Sequence, residues 1–134
     1  MNRAILCSAI EGLASGYGYD FSLNDKSYYP TAICRYPAAF MLQPEFVAME
    51  GRKHGRITYK VSLRLAKQAA KLSPKERNDM VAEMEQQMVD IFSELSLSPA
   101  VAVVKELTIK PLAEAIDIHG AMAIEAQAAI ETIF

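Results

Sequence analysis

Arg56-Ile57-Thr58-Tyr59-Lys60-Val61-Ser62-Leu63-Arg64-Leu65 alternates without a break. In an extended chain Ile57, Tyr59, Val61, Leu63 and Leu65 share one side, and Arg56, Thr58, Lys60, Ser62 and Arg64 share the other. Helical spacing would scatter both sets around the axis. The stretch therefore predicts a strand with an apolar side on a core and a polar side facing solvent or an interface.

C-terminal to it, the pattern changes period. Ser73 is a good N-cap, Pro74 suits the first helical position and Glu76 completes a capping box. Met80, Val81, Met84, Met88, Ile91, Phe92 and Leu95 then recur at spacings of three and four, opposite Glu83, Glu85, Gln86, Gln87, Asp90 and Glu94. A helix over 74–96 follows, stopped before Pro99. The methionines at 80, 84 and 88 read first as core packing and second as an adaptable groove. Ala100–Lys110 is rich in β-branched residues and predicts a strand. Gly120–Phe134 is ambiguous. Its alanines favour a helix, but Met122, Ile124, Ala126, Ala128 and Ile130 alternate with Glu125, Gln127 and Glu131, and we read a strand.

N-terminal to the alternating strand, Leu6, Ala9, Ile10 and Leu13 define a helix over 2–15, ended by Gly16-Tyr17-Gly18. Tyr17 to Tyr29 reads as a polar connection with a turn at Asn24-Asp25. Thr31–Tyr36 reads as a strand that Pro37 ends or confines to an edge. Residues 38–50 are apolar but irregular and read as a loop, and 51–55 as a basic turn. The predicted fold is α+β in the order α-β-β-α-β-β, a four-stranded antiparallel or mixed sheet with two helices on one face.

The 134 residues form one domain, long enough to bury a core without disulfides or metals. No run of about twenty apolar residues exists to span a bilayer. Ser8 and Glu11 interrupt the short apolar start before a signal-peptide core could form. Cys7 and Cys34 lack metal-type spacing and read as reduced thiols, with a disulfide between them left open. His54 sits among Arg52, Lys53 and Arg56, which repel a cation, and His119 has no second histidine or cysteine nearby. Gly12-Leu13-Ala14-Ser15-Gly16 has its serine in the wrong place for a nucleophile elbow. Gly16-Tyr17-Gly18 lacks the flanking strand and helix of a dinucleotide loop. We therefore expect no catalytic residues, no metal site and no cofactor.

Charge is the informative feature. The net charge is −2, yet Gly51–Lys75 contains no Asp or Glu and carries Arg52, Lys53, Arg56, Lys60, Arg64, Lys67, Lys71 and Lys75. From Glu76 onward the balance turns acidic. Arg56, Lys60 and Arg64 should form a row with neighbours about 13 Å apart on the polar side of their strand. Three uses compete for this row: a solvated face, a contact with the acidic half of another copy, or nucleic acid contacted by the basic 52–71 stretch.

The arrangement resembles the tail-completion or tail-terminator proteins of long-tailed bacteriophages and prophages. It rests on a starting helix, the strand in Tyr29-Pro30-Thr31-Ala32-Ile33, a variable loop, and the alternating Thr58-Tyr59-Lys60-Val61-Ser62-Leu63-Arg64-Leu65. A helix headed by Ser73-Pro74-Lys75-Glu76 and two closing strands complete it. The apolar 38–50 segment and the alanine-rich closing segment depart from the pattern. The resemblance implies a small structural protein with no catalytic residues. It implies assembly as a ring, usually of six, at the head-proximal end of the tail tube. Tail-tube or connector subunits would be partners, and the locations would be the bacterial cytoplasm during assembly and then the virion tail. On charge, Arg52, Lys53, Arg56, Lys60 and Arg64 are the expected subunit interface.

Overall fold

The computed structural model describes residues 2–24, 35–112 and 120–134. Its elements are α1 (Asn2–Gly16), β1 (Asp20–Asn24), β2 (Ala38–Leu42), β3 (Glu45–Glu50), β4 (Arg56–Lys67), α2 (Pro74–Ser96), β5 (Val101–Pro111) and β6 (Met122–Ile133). The strands form one six-stranded mixed sheet in the order β1-β2-β4-β6-β5, with β3 also paired to β4. β1 and β2 run parallel, and the other pairings are antiparallel.

The alternating stretch becomes β4, the strand on which the sheet is built. One edge pairs with β6 along its full length, from Arg56↔Ile133 to Lys67↔Met122. The other edge is shared: residues 63–66 pair with β2 and residues 56–60 with β3. Val61, Leu63 and Leu65 are fully buried beneath the helices, with Ile124, Ala126 and Ile130 of β6 beside them.

Both helices pack on this same side. Leu6, Ile10 and Ala14, four apart, form the buried stripe of α1. α2 buries Met84, Met88, Ile91, Phe92 and Leu95, so these two methionines are core side chains. Its start is fixed by the predicted capping box. The Glu76 N–H donates to Ser73 Oγ at 3.2 Å, and the Ser73 N–H donates to Glu76 Oε1 at 3.3 Å. Such a cap contributes about 1 kcal/mol.

The sequence expectation needs three corrections. Among the described residues the sheet has six strands instead of four, in the order α-β-β-β-β-α-β-β. Residues 38–50 are not a loop but β2 and β3. Ala38-Ala39-Phe40-Met41 shows no alternation because β2 is covered on both sides. Ala39 and Met41 face the main core, while Ala38 and Phe40 join Ala66 and Ala123 in a second cluster on the opposite side. A strand buried on two faces reads as a continuous apolar run. β3 lacks alternation for the opposite reason: all six of its residues are exposed. Finally, the Tyr17–Tyr29 connection contains β1, whose Asp20 N–H donates to the Pro37 carbonyl at 2.9 Å. Of the predicted Thr31–Tyr36 strand, residues 31–34 lie outside the described residues, and Arg35 and Tyr36 precede the strand that begins at Ala38. Asp25 of the expected turn, Cys34 and His119 also lie outside them.

The closing segment is a strand, β6, as its alternation indicates. Placed centrally between β4 and β5, it uses alanine to keep both faces compact.

Candidate functional site

The polar side of β4 carries Arg56, Lys60 and Arg64 on the sheet face opposite the helices, as the alternation requires. Among the described residues, two of the three charges are met within the chain. Arg64 Nε donates to Glu125 Oε1 at 3.1 Å across the β4–β6 ladder, where the two residues are register partners. Their side chains are only 13% and 7% exposed, so this is a largely buried ion pair. Arg56 Nη1 donates to Glu131 Oε2 at 3.0 Å, and Lys105 Nζ of β5 donates to Glu131 Oε1 at 2.8 Å. The hydrogen bond from Lys105, reinforced by Arg56, holds the Glu131 carboxyl below the usual carboxylate range. The acidic half of the chain thus meets part of the basic half inside one subunit.

The remaining cations divide among several places. Lys60 is exposed on the same face, and Arg52, Lys53 and His54 are exposed at the turn between β3 and β4. Lys67 lies on the helix side, 3.4 Å from Glu83 and 5.8 Å from the centroid of the Tyr19 ring. Lys71 is exposed on the approach to α2 and Lys75 in its first turn. Arg52, Lys53, Arg56 and Lys60 therefore lie on the β3–β4 hairpin and Arg64 further along β4, opposite Phe40 of β2, and they differ in how much charge they present to solvent.

That hairpin holds the most distinctive surface of the molecule. Phe46, Val47 and Met49 of β3 are 58%, 57% and 57% exposed. Phe46 stands edge-on to Tyr59, with ring centroids 6.0 Å apart, and the Arg3 guanidinium lies 5.4 Å from the centroid of the Tyr59 ring. The turn is close-packed. Gly51 has φ 87°, the left-handed region that glycine enters cheaply. A Cβ on Gly55 would sit 2.2 Å from the Glu50 carbonyl oxygen and 2.3 Å from the Phe134 ring. The Phe134 N–H donates to the Gly55 carbonyl at 3.1 Å, tying the C-terminal residue to the turn. Beside it, Thr132 accepts from Asn2 Nδ2 at 2.8 Å and donates to the Ile57 carbonyl at 2.8 Å.

Sequence reasoning found the charges of this hairpin and missed its apolar strand. A signal was present: Phe46-Val47-Ala48-Met49 is a short apolar run bracketed by Glu45 and Glu50 and followed by Gly51. Among the described residues no group of three His, Cys, Asp or Glu side chains converges to hold a metal ion. Among them, too, no helix is long and apolar enough to cross a membrane.

Fold and surface together define an α+β protein with two helices on one face of a six-stranded mixed sheet and an exposed apolar hairpin at its side. No protein-family model matches the chain, and no curated protein gives a significant match to it.

Proposed function

We propose that this chain is a non-enzymatic structural protein whose copies join through the β3–β4 hairpin into a closed ring. The observation that supports this is β3 itself, an edge strand with three large apolar side chains more than half exposed. An open, apolar edge is a template for association. The same hairpin carries the exposed Arg52, Lys53 and Lys60, which extend the contact with charge. Identical subunits meeting through two unlike surfaces make a ring when the rotation closes. On the resemblance of the alternating strand, the capped helix and the two closing strands alone, since the two strands within 38–50 depart from its element order, we further propose the role of a tail-completion protein of a phage or prophage tail, with tail-tube or connector subunits as further partners.

Native mass spectrometry and light scattering test the association. The expected result is one species of fixed copy number, and a strict monomer at high concentration and low salt refutes it. Co-sedimentation with purified tail tubes tests the specific role.

The exposed Arg52, Lys53 and His54 at the hairpin tip, with Lys60 at the far end of the same hairpin, favour a second reading, contact with nucleic acid. Titration with short duplexes at two salt concentrations separates the two. Neutralised phosphates give a steep loss of affinity with salt, whereas a ring protein shows little binding at either concentration.

A further inference from the structure

Among the described residues β3 pairs only with β4, and β5 pairs only with β6, so each presents a free edge. From their placement we infer that the joint between copies sets β3 of one against β5 and the adjoining side of α2 of the next. This rests on the proposal that copies associate, and it names the two surfaces that meet.

Charge supports the pairing. In a regular strand, residues five apart point to opposite faces. In β3 a bulge between Phe46 and Ala48 reverses this, so Glu45 faces with Lys60 and Glu50 with Arg56, both on the side away from the helices. β5 does the same through its irregularity between Lys105 and Thr108. Lys105 there faces with Ala129 and Lys110 with Glu125, again on the side away from the helices. Each pair of charges thus spans four partner positions, about 13 Å. Two carboxylates on one edge match two ammonium groups on the other in sign, spacing and face.

Pairing either edge with its own copy places like charges together, and β1 against β5 would match one charge where β3 matches two. β3 paired antiparallel with itself sets Glu45 against Glu50, and β5 with itself sets Lys105 against Lys110. The third edge among the described residues, β1, carries Asp20 and no cation. Like charges directly opposite destabilise strand pairs.

The helix side matches as well. Phe46 and Met49 face with Tyr59 and Ile57, on the side where the helices pack. On that same side a shallow groove runs between α2 and β5, lined by Ala82, Glu85, Gln86, Val89 and Ile109. Its apolar residues Ala82, Val89 and Ile109, flanked by Glu85 and Gln86, would receive Phe46 and Met49 of the neighbouring copy.

A charge swap tests the joint. Glu45→Lys/Glu50→Lys and Lys105→Glu/Lys110→Glu should each raise the concentration needed for half-assembly at least about tenfold, since each sets like charges across the joint. Mixed in equal amounts, the two variants should reassemble at the wild-type mass with one-to-one composition, because each then offers the other a complementary edge. Because Lys105 also holds Glu131, and Glu45 and Glu50 are the cross-strand partners of Lys60 and Arg56 in their own subunit, circular dichroism must show both reversed variants folded. Val89→Glu, at a half-exposed groove position, provides a second probe and should weaken assembly without touching Lys105. If the wild type assembles, and folded reversed variants or Val89→Glu assemble as well as it does, this joint is wrong while association stands. If the folded variants dissociate but their mixture does not reassemble, the joint is likewise wrong. A wild-type protein that stays monomeric overturns both proposals.

Discussion

Replacing Arg64 by Met should destabilise the fold far more than an ordinary surface substitution. Its partner Glu125 is 7% exposed at the side chain and sits on a central strand between β4 and β5. Removing the guanidinium leaves a carboxylate in a poorly hydrated place without its cation. Breaking a buried pair on one side typically costs about 3–5 kcal/mol. Arg64 retains 13% exposure, and Lys110 is the register partner of Glu125 on its other side, so the lower end, about 3 kcal/mol, is expected. For a chain of this size that is a fall in Tm of roughly 10 °C. The double variant Arg64→Met/Glu125→Met removes both charges and should recover most of the loss, since an apolar pair of similar volume is often as stable as the ion pair it replaces. Urea denaturation of the wild type, both single variants and the double variant closes the cycle. A loss below about 1 kcal/mol for Arg64→Met, within the range of exposed pairs, would refute the reasoning. So would a double variant no more stable than the single one.

Three further outcomes follow from local geometry. Glu106 has φ 55° within β5, so Glu106→Gly should gain about 0.5–1 kcal/mol by relieving left-handed strain in a non-glycine residue, measured by chemical denaturation. Gly55→Ala forces a Cβ against the Glu50 backbone and the Phe134 ring and should cost about 1–3 kcal/mol, the range for overpacking. Hydrogen exchange should locate that loss in the β3–β4 turn. Burial, with the Glu83 charge second, raises the Tyr19 phenol above its ordinary pKa, and its hydroxyl donates to Gln87. Its stabilising contribution is therefore complete below the unfolded-state value of about 10 and is lost as pH rises towards the folded one. Tyr19→Phe should flatten the alkaline part of the stability profile, read by denaturation between neutral and high pH.

Regular periods made much of this protein legible. Ile57 to Leu65, Ser73 to Leu95 and Met122 to Ile130 each repeat a spacing that one conformation satisfies, so β4, α2 and β6 follow from local sequence. The charges at Arg56, Lys60 and Arg64 were likewise assignable to one face. Residues 38–50 were not legible, because alternation marks only strands with one buried face. β2 is covered on both faces and β3 on neither.

Local pattern is enough to specify two helices, three of the strands and the division into a basic middle and an acidic end. Tertiary structure alone decided which of those charges meet. It set Glu125 beside Arg64 and Glu131 beside Arg56 across a ladder joining residues more than sixty apart. It also brought Glu45 and Glu50, five apart in the chain, onto a single face through a bulge. Periodicity along a chain specifies which way each side chain points relative to its neighbours. Which strand lies alongside, and where the register slips by one residue, depends on packing between distant segments.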